Sequence, residues 1–446
     1  MTDDEQFRRA LYQAVAETET LLEPGDPRVV PLHQQRYGGD ATEVNHDPVA
    51  DLATTIRWST TNTTMQLFSG FRGSGKTTEL LRLRENLRAD GYVVLYVRLE
   101  EYLNLKEPVE LADFLLATLA ATDDAAHGVS GDPNDPAPPP IPYDPSGEGM
   151  RRWWDRVKSL LAAGSDQMEV TAKLGPVELK TEFRENPSFR QQVTAASRLS
   201  LGAMKREADA FTTDLVRRLG AGTSGLVLLV DSLDHADNRS EFDALMTSIQ
   251  RLFERHATLL SMTGVHVIYT VPPYLRFIRT GCGPVRMLTT VKVAERDGQP
   301  VPAGVEALVE LVDRRKADWV RLLGDQDTLE RFVLLSGGHL RDLLGMIGSL
   351  VMQATTLPAS PAVVEYTINQ YRNSLVADLA EEEMAWLRVV AGSHETGLAT
   401  TDGRSSFANL LDRHLVLGYL NGEEWYDVHP LARPAIGLDE RFPPPP

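Results

Sequence analysis

The sequence predicts an α/β fold in which a parallel sheet is followed by a helical region and a small C-terminal block of helices and strands. Three observations predict it. A short strand, Thr64–Ser69, leads into a glycine-rich turn and then into good helix formers from Thr77 to Arg88. A fully apolar run, Tyr92–Arg98, follows, and strand, loop, helix and buried strand in that order make a parallel α/β unit. Two more apolar runs, Leu226–Val230 and Val265–Val271, read as strands covered on both faces, where alternation is lost.

The remaining elements follow along the chain. Residues 1–44 hold an acidic amphipathic helix, ending by Pro24-Gly25-Asp26-Pro27, and a polar lead-in. Pro48–Trp58 has helical apolar spacing and opens a core domain at 45–301. An insertion at 123–222 interrupts that core with a proline-rich linker at 132–142, a hairpin at 168–183 and a long helix capped at Asn186-Pro187. A weaker fifth strand is expected over Val285–Val293. Helical runs at 304–322, 327–335, 339–354 and 361–373 make a helical lid at 302–375. At 376–436 the order helix, helix and two strands joined at Asn421-Gly422 is a winged-helix pattern, and 437–446 reads as a disordered tail.

Composition sets the bounds. The chain has 446 residues, 42% hydrophobic and 24% charged, enough for several cores. Its formal net charge is −18, which argues against a basic body wrapped around nucleic acid. One cysteine, Cys282, excludes a disulfide framework and a cysteine zinc site. The first residues lack a signal-peptide pattern and no apolar run reaches the ~18–20 residues of a membrane span, so a cytoplasmic protein without a membrane partner is expected.

The strongest chemical signal is Gly70-Phe71-Arg72-Gly73-Ser74-Gly75-Lys76-Thr77, followed by Thr78, which fits G-x-x-x-x-G-K-[ST] between a strand and a helix. Glycines let backbone N–H groups turn inward around a β-phosphate, and the helix N-terminus adds positive potential. Lys76 would bridge β- and γ-phosphates, and the Thr77 hydroxyl would ligate Mg²⁺, so ATP or ADP with Mg²⁺ is the expected cofactor. Gly220-Ala-Gly-Thr-Ser-Gly225 matches a dinucleotide fingerprint but precedes its strand and opens no helix, and it reads as a loop.

Leu226–Val230 delivers Asp231 to the end of a buried strand, where a P-loop site needs its second Mg²⁺ anchor. Asp234 stands where it could polarise an attacking water or cap the next helix. Thr270, at the end of the fourth strand, could hold that water or be satisfied by backbone.

With these motifs in this order the chain resembles the additional-strand P-loop ATPases, over roughly 45–120 and 222–435. Within them it looks like the branch joining AAA+ proteins of the origin-recognition type to the STAND signalling NTPases. The resemblance implies a parallel five-stranded core in the order 5-1-4-3-2. Asp231-Ser-Leu-Asp234 is similar to the NACHT-type Walker B, although His235 stands where another acid is usual. Gly338-His-Leu-Arg341 looks like the sensor-2 motif, which implies that Arg341 reaches the γ-phosphate; a surface or capping arginine is the other reading. Tyr426-Asp-Val-His429-Pro resembles the Met-His-Asp motif at His429 alone, implying a contact with the ADP β-phosphate, against a satisfied core histidine. The resemblance implies an arginine finger just before the fifth strand, for which Arg276 and Arg279 are the candidates and which would require a homo-oligomer.

Three functions remain open. The main expectation is an ATP-hydrolysing switch that acts through a separate protein effector. The second is an origin-recognition-like ATPase on duplex DNA, and the third a nucleotide-bound scaffold that does not hydrolyse. From Val376 to Pro446 the chain carries five Arg and no Lys against twelve Asp and Glu, a net −7, which disfavours DNA for the winged-helix block.

Overall fold

The computed structural model describes residues 2–16, 22–37, 47–128, 141, 184–186, 188, 190–191, 201–231, 233, 242–396, 404–421 and 423–443. The proline-rich linker apart from Ile141, the expected hairpin, Asp234, Gly422 and the last three residues lie outside these. In chain order the α-helices of five residues or more are α1 (Asp3–Ala16), α2 (His33–Tyr37), α3 (Pro48–Arg57), α4 (Lys76–Ala89), α5 (Leu111–Ala126), α6 (Leu201–Arg217) and α7 (Phe242–Arg255). They continue with α8 (Pro302–Arg315), α9 (Gln326–Leu335), α10 (Leu340–Gln353), α11 (Pro361–Leu375), α12 (Glu381–Ser393) and α13 (Arg404–Asp412). The strands are β1 (Thr64–Gly70), β2 (Tyr92–Arg98), β3 (Gly225–Asp231), β4 (Val265–Val271), β5 (Val285–Leu288), β6 (Val416–Asn421) and β7 (Glu423–Val428).

The first five strands form one sheet in the order β2-β3-β4-β1-β5, the order 5-1-4-3-2 read from the other edge. The pairs β2·β3, β3·β4 and β1·β4 run parallel. Every residue of β3 and β4 is buried, which is why both read as continuous apolar runs. The chain divides into two compact units. One, Pro48–Ser69 with Glu79–Met287, contains most of the sheet. Tyr269 packs there with Phe114 of α5 and Phe253 of α7, at ring-centre distances of 5.5 and 5.8 Å.

The other unit comprises Met1–Asp47, Gly70–Thr78 and Leu288–Pro446. Thr2 and Glu5 exchange bonds at the start of α1, Thr2 N donating to Glu5 Oε2 at 2.8 Å and Glu5 N to Thr2 Oγ1 at 3.2 Å. Phe7, Leu11 and Val15 recur on one face of that helix and are buried in the core formed by Leu308, Leu343 and Ile347. The N-terminal helix therefore belongs to the helical block, a placement its own pattern does not reveal.

Two expectations are corrected. The expected helix at 304–322 breaks at Lys316, whose backbone is extended (φ −162, ψ 96). The break turns Trp319 into the core, with its indole N–H on Asp313. The fifth strand ends at Leu288 and not Val293. Beyond it, Thr290 N donates to Gly418 O at 2.9 Å and Lys292 N to Gln35 O at 3.2 Å, so these groups leave the sheet ladder. Gly338 packs onto this segment: a Cβ there would lie 1.8 Å from Val291 O, and its φ is +82.

The C-terminal block has α12, α13 and the antiparallel pair β6·β7, with Asn421 opposite Glu423. Tyr419 and Trp425 stack across that pair at 4.5 Å. Among the described residues, no helix is long and apolar enough to cross a membrane.

Candidate functional site

The loop between β1 and α4 has the backbone its sequence requires. Gly73 and Gly75 adopt φ of +83 and +93, which other residues avoid. A Cβ on Gly70 would meet Leu288 O at 2.9 Å and Lys76 Cγ at 3.2 Å, so the glycine permits close approach. Lys76 is buried, and its ammonium donates to Gly70 O at 2.9 Å and Phe71 O at 2.8 Å. Ser74 Oγ is buried without a hydrogen-bond partner among the described residues. Inward-turned glycines, a buried ammonium and an orphaned hydroxyl suit the phosphates of a nucleotide.

Three residues from distant parts of the same unit press on this loop. The Arg341 side chain lies over Gly73, where a Cβ would come within 2.5 Å of Arg341 Cβ and 2.7 Å of its Nε. His339 Nε2 is 2.9 Å from Arg72 O. Arg36, on α2, donates from Nη2 to Ser74 O at 2.6 Å and from Nη1 to Thr289 O. Arg36 and His339 escape a reading of the sequence. Arg36 sits in a polar stretch without a motif, and His339 is an unassigned position inside the sensor-2 resemblance.

Asp342 is the buried anion of this region. His339 Nδ1, His414 Nδ1 and His429 Nε2 lie 2.7, 2.9 and 3.2 Å from its Oδ2, and the Tyr371 hydroxyl donates to Oδ1 at 2.8 Å. Burial works to raise the carboxyl, but His414 and His339 outweigh it and hold it well below the usual range. For His339, burial opposes the charged imidazole and Asp342 favours it; its two ring nitrogens face two acceptors, Asp342 Oδ2 and Arg72 O, and only the imidazolium donates to both. His429 thus faces Asp342, and its Nδ1 accepts from Leu431 N at 3.2 Å.

In the sheet unit, Asp231 ends β3 and is buried, with the Tyr96 hydroxyl donating to its Oδ2 at 2.8 Å. Thr270, in β4, is fully buried, and its Oγ1 has no hydrogen-bond partner among the described residues. The alternative in which backbone satisfies this hydroxyl is therefore not the observed arrangement. Asp231 and Thr77 offer oxygen donors, the type a hard Mg²⁺ ion takes. Arg276 donates to Val285 O at 2.8 Å, while Arg279 is exposed. Burial pushes the Cys282 thiol up to about 12, which leaves no thiolate nucleophile at neutral pH.

No family model and no curated protein matches the sequence. Among solved structures the chain is similar to Cdc6p from Pyrobaculum aerophilum, at 13% identity over 93% of this chain and 95% of that one, with a TM-score of 0.35. It is also similar to the ORC2 protein of Aeropyrum pernix in its ADPNP and ADP complexes, at 11% identity over 85% of this chain and 88% of that one, with a TM-score of 0.34. Both scores are low, and the fold assignment rests on the strand order and the phosphate loop.

Proposed function

We propose that the chain is a Mg²⁺-dependent P-loop ATPase that works as a nucleotide-controlled switch. The observation that carries this reading is the Arg341 side chain packed on Gly73 of a loop already shaped for phosphate. A ligand shifts a conformational equilibrium only through contacts that differ between states, and a lid arginine on the loop offers such a contact.

Lys76 and the N–H groups of the loop would hold the phosphates, and Thr77 with Asp231 would hold Mg²⁺. When bound, that ion neutralises charge on the phosphoryl oxygens. Asp234 and Thr270 would orient the attacking water, and Arg341 would read the γ-phosphate. His429 would act on the nucleotide indirectly, through Asp342. Output would pass to a separate protein partner, and Arg276 or Arg279 would serve as a finger only in a homo-oligomer.

A second reading, duplex-DNA binding through 376–436, is favoured by the helix, helix and hairpin order of that block. Against it stand the block's net charge and Glu423 in β7, whose side chain is 86% exposed.

The test starts with denaturing the purified protein and identifying any released nucleotide by ion-exchange chromatography. Near-stoichiometric ADP supports a closed switch, whereas an empty site with DNA-stimulated turnover supports the second reading. Lys76→Ala should lose ATP binding, and near-normal affinity would overturn the loop assignment. Asp234→Asn should bind ATP without turning it over.

A further inference from the structure

The nucleotide reading leaves one buried knot unused, namely Asp342 with its three imidazoles and the Tyr371 hydroxyl. His339 and Asp342 come from the start of α10, Tyr371 from α11, His414 from the residues after α13 and His429 from those after β7. Ligand atoms of His339, Asp342 and His414 lie within 4.8 Å of one another, as in a metal site. However, the His339 and His414 rings stack at 4.4 Å with an interplanar angle of 18°. In-plane lone pairs on near-parallel rings do not converge on one ion. His429 Nδ1 accepts the Leu431 N–H, and its Nε2 lies 3.2 Å from the carboxylate without hydrogen-bond geometry. The knot is built to hold the carboxylate, and His339 is the member that reaches beyond it to the loop.

We infer that His339 is a positioning residue of the phosphate loop: its Nε2 N–H holds the Arg72 carbonyl, while Asp342, which accepts from Tyr371 and is flanked by His414 and His429, holds the ring. This rests on the loop being the nucleotide site. In a trans peptide the Arg72 carbonyl and the Gly73 N–H point in opposite directions from one rigid plane. Fixing the carbonyl on His339 therefore fixes that N–H toward the side where a phosphate oxygen would accept it. The hold matters because Gly73, at φ +83, has no intrinsic preference for this conformation over its alternatives. His414, itself at φ +47, and His429 belong to the C-terminal block. Displacing that block would remove two imidazoles from the ion-pair shell of Asp342 and loosen His339, so nucleotide affinity reports the block's position although neither histidine needs to touch the ligand.

The test is ADP titration calorimetry on the full chain, with thermal melts in parallel. A glutamine amide nitrogen can take the place of Nε2, and an asparagine amide that of Nδ1. His339→Gln should keep ADP affinity within about threefold of wild type, while His339→Asn should lose about five- to tenfold, the effect of one buried hydrogen bond. His414→Ala should also weaken ADP. Equal affinity in wild type and both His339 variants would overturn the inference, and so would equal losses in the two. Where His339→Asn does not fold, Tyr371→Phe carries the test: a two- to threefold weakening of ADP, about half a hydrogen bond's effect, supports the inference and unchanged affinity overturns it. A wild-type chain that binds no ADP would overturn the nucleotide reading itself, and this inference with it.

Discussion

The sheet unit and the unit carrying the phosphate loop both leave some buried polar atoms without partners, but the second also gathers side chains from several elements around one buried carboxylate. In the sheet unit, His266 is fully buried with Thr64 Oγ1 3.0 Å from its Nδ1, and its Nε2 has no partner among the described residues. Thr270 Oγ1 in the same strand has none either. In the other unit, Asp342 gathers three imidazoles and a phenol around one carboxylate. The strands tolerate isolated polar groups because their backbone ladders and apolar faces already fix the structure. The helical and C-terminal elements have no shared ladder, and their side chains meeting at one buried carboxylate do the registering.

The largest effect that would sharpen this contrast is expected from Asp342→Ala. It removes the anion that two buried rings and one partly buried ring face, and breaking such a cluster from one side typically costs about 3–5 kcal/mol. Chemical denaturation should show that loss. A change below about 1 kcal/mol would mean that the knot contributes nothing to registering the elements.

Acid should separate the two units next. Burial lowers His266 from 6.5 to about 4. Between those values the unfolded chain takes a proton that the folded one refuses, so this contribution is complete above pH 6.5 and is lost as pH falls toward 4. The difference amounts to up to about 3 kcal/mol. Asp342 has the opposite character: its folded value is depressed, so its contribution is present above the unfolded 3.8 and is lost only as pH falls further. His266→Asn should therefore reduce the stability slope between pH 6.5 and 4 without abolishing it. An unchanged slope would remove His266 from the contrast.

The same difference explains what could be read from the sequence. The strands β1 to β4 and the phosphate loop are written in local runs, such as Leu226–Val230 or Gly70–Thr77, whose spacing carries the physics. Asp231 was legible because it ends such a run. Arg36 was not, because its target, Ser74 O, is 38 residues away along the chain and no periodicity links them. The Asp342 knot gathers residues from 339 to 429, and only the folded chain brings them to one oxygen. His429 drew attention through a resemblance, yet its observed partner, Asp342, carried no signal of its own. The fifth strand is shorter than its apolar run suggests, since Val291 and Val293 are apolar for the sake of the helical core and not for the sheet.

The smallest expected effect concerns the polar pair at the strand tips. Tyr96 and Asp231 lie on neighbouring strands, and the register that sets Arg98 opposite Asp231 brings the Tyr96 hydroxyl to Oδ2 at 2.8 Å. Tyr96→Phe removes one buried donor and little volume, so stability should fall by about 1–1.5 kcal/mol. If Asp231 also anchors Mg²⁺, the loss of its orienting hydroxyl should raise the Mg²⁺ concentration needed for half-maximal ATPase activity by about tenfold, as outer-shell losses do at other metal sites. A stability loss with unchanged Mg²⁺ dependence would leave Tyr96 as a partner for buried charge alone. The sheet unit would then resemble the Asp342 knot in miniature, and the contrast between the two units would narrow to the number of donors each carboxylate collects.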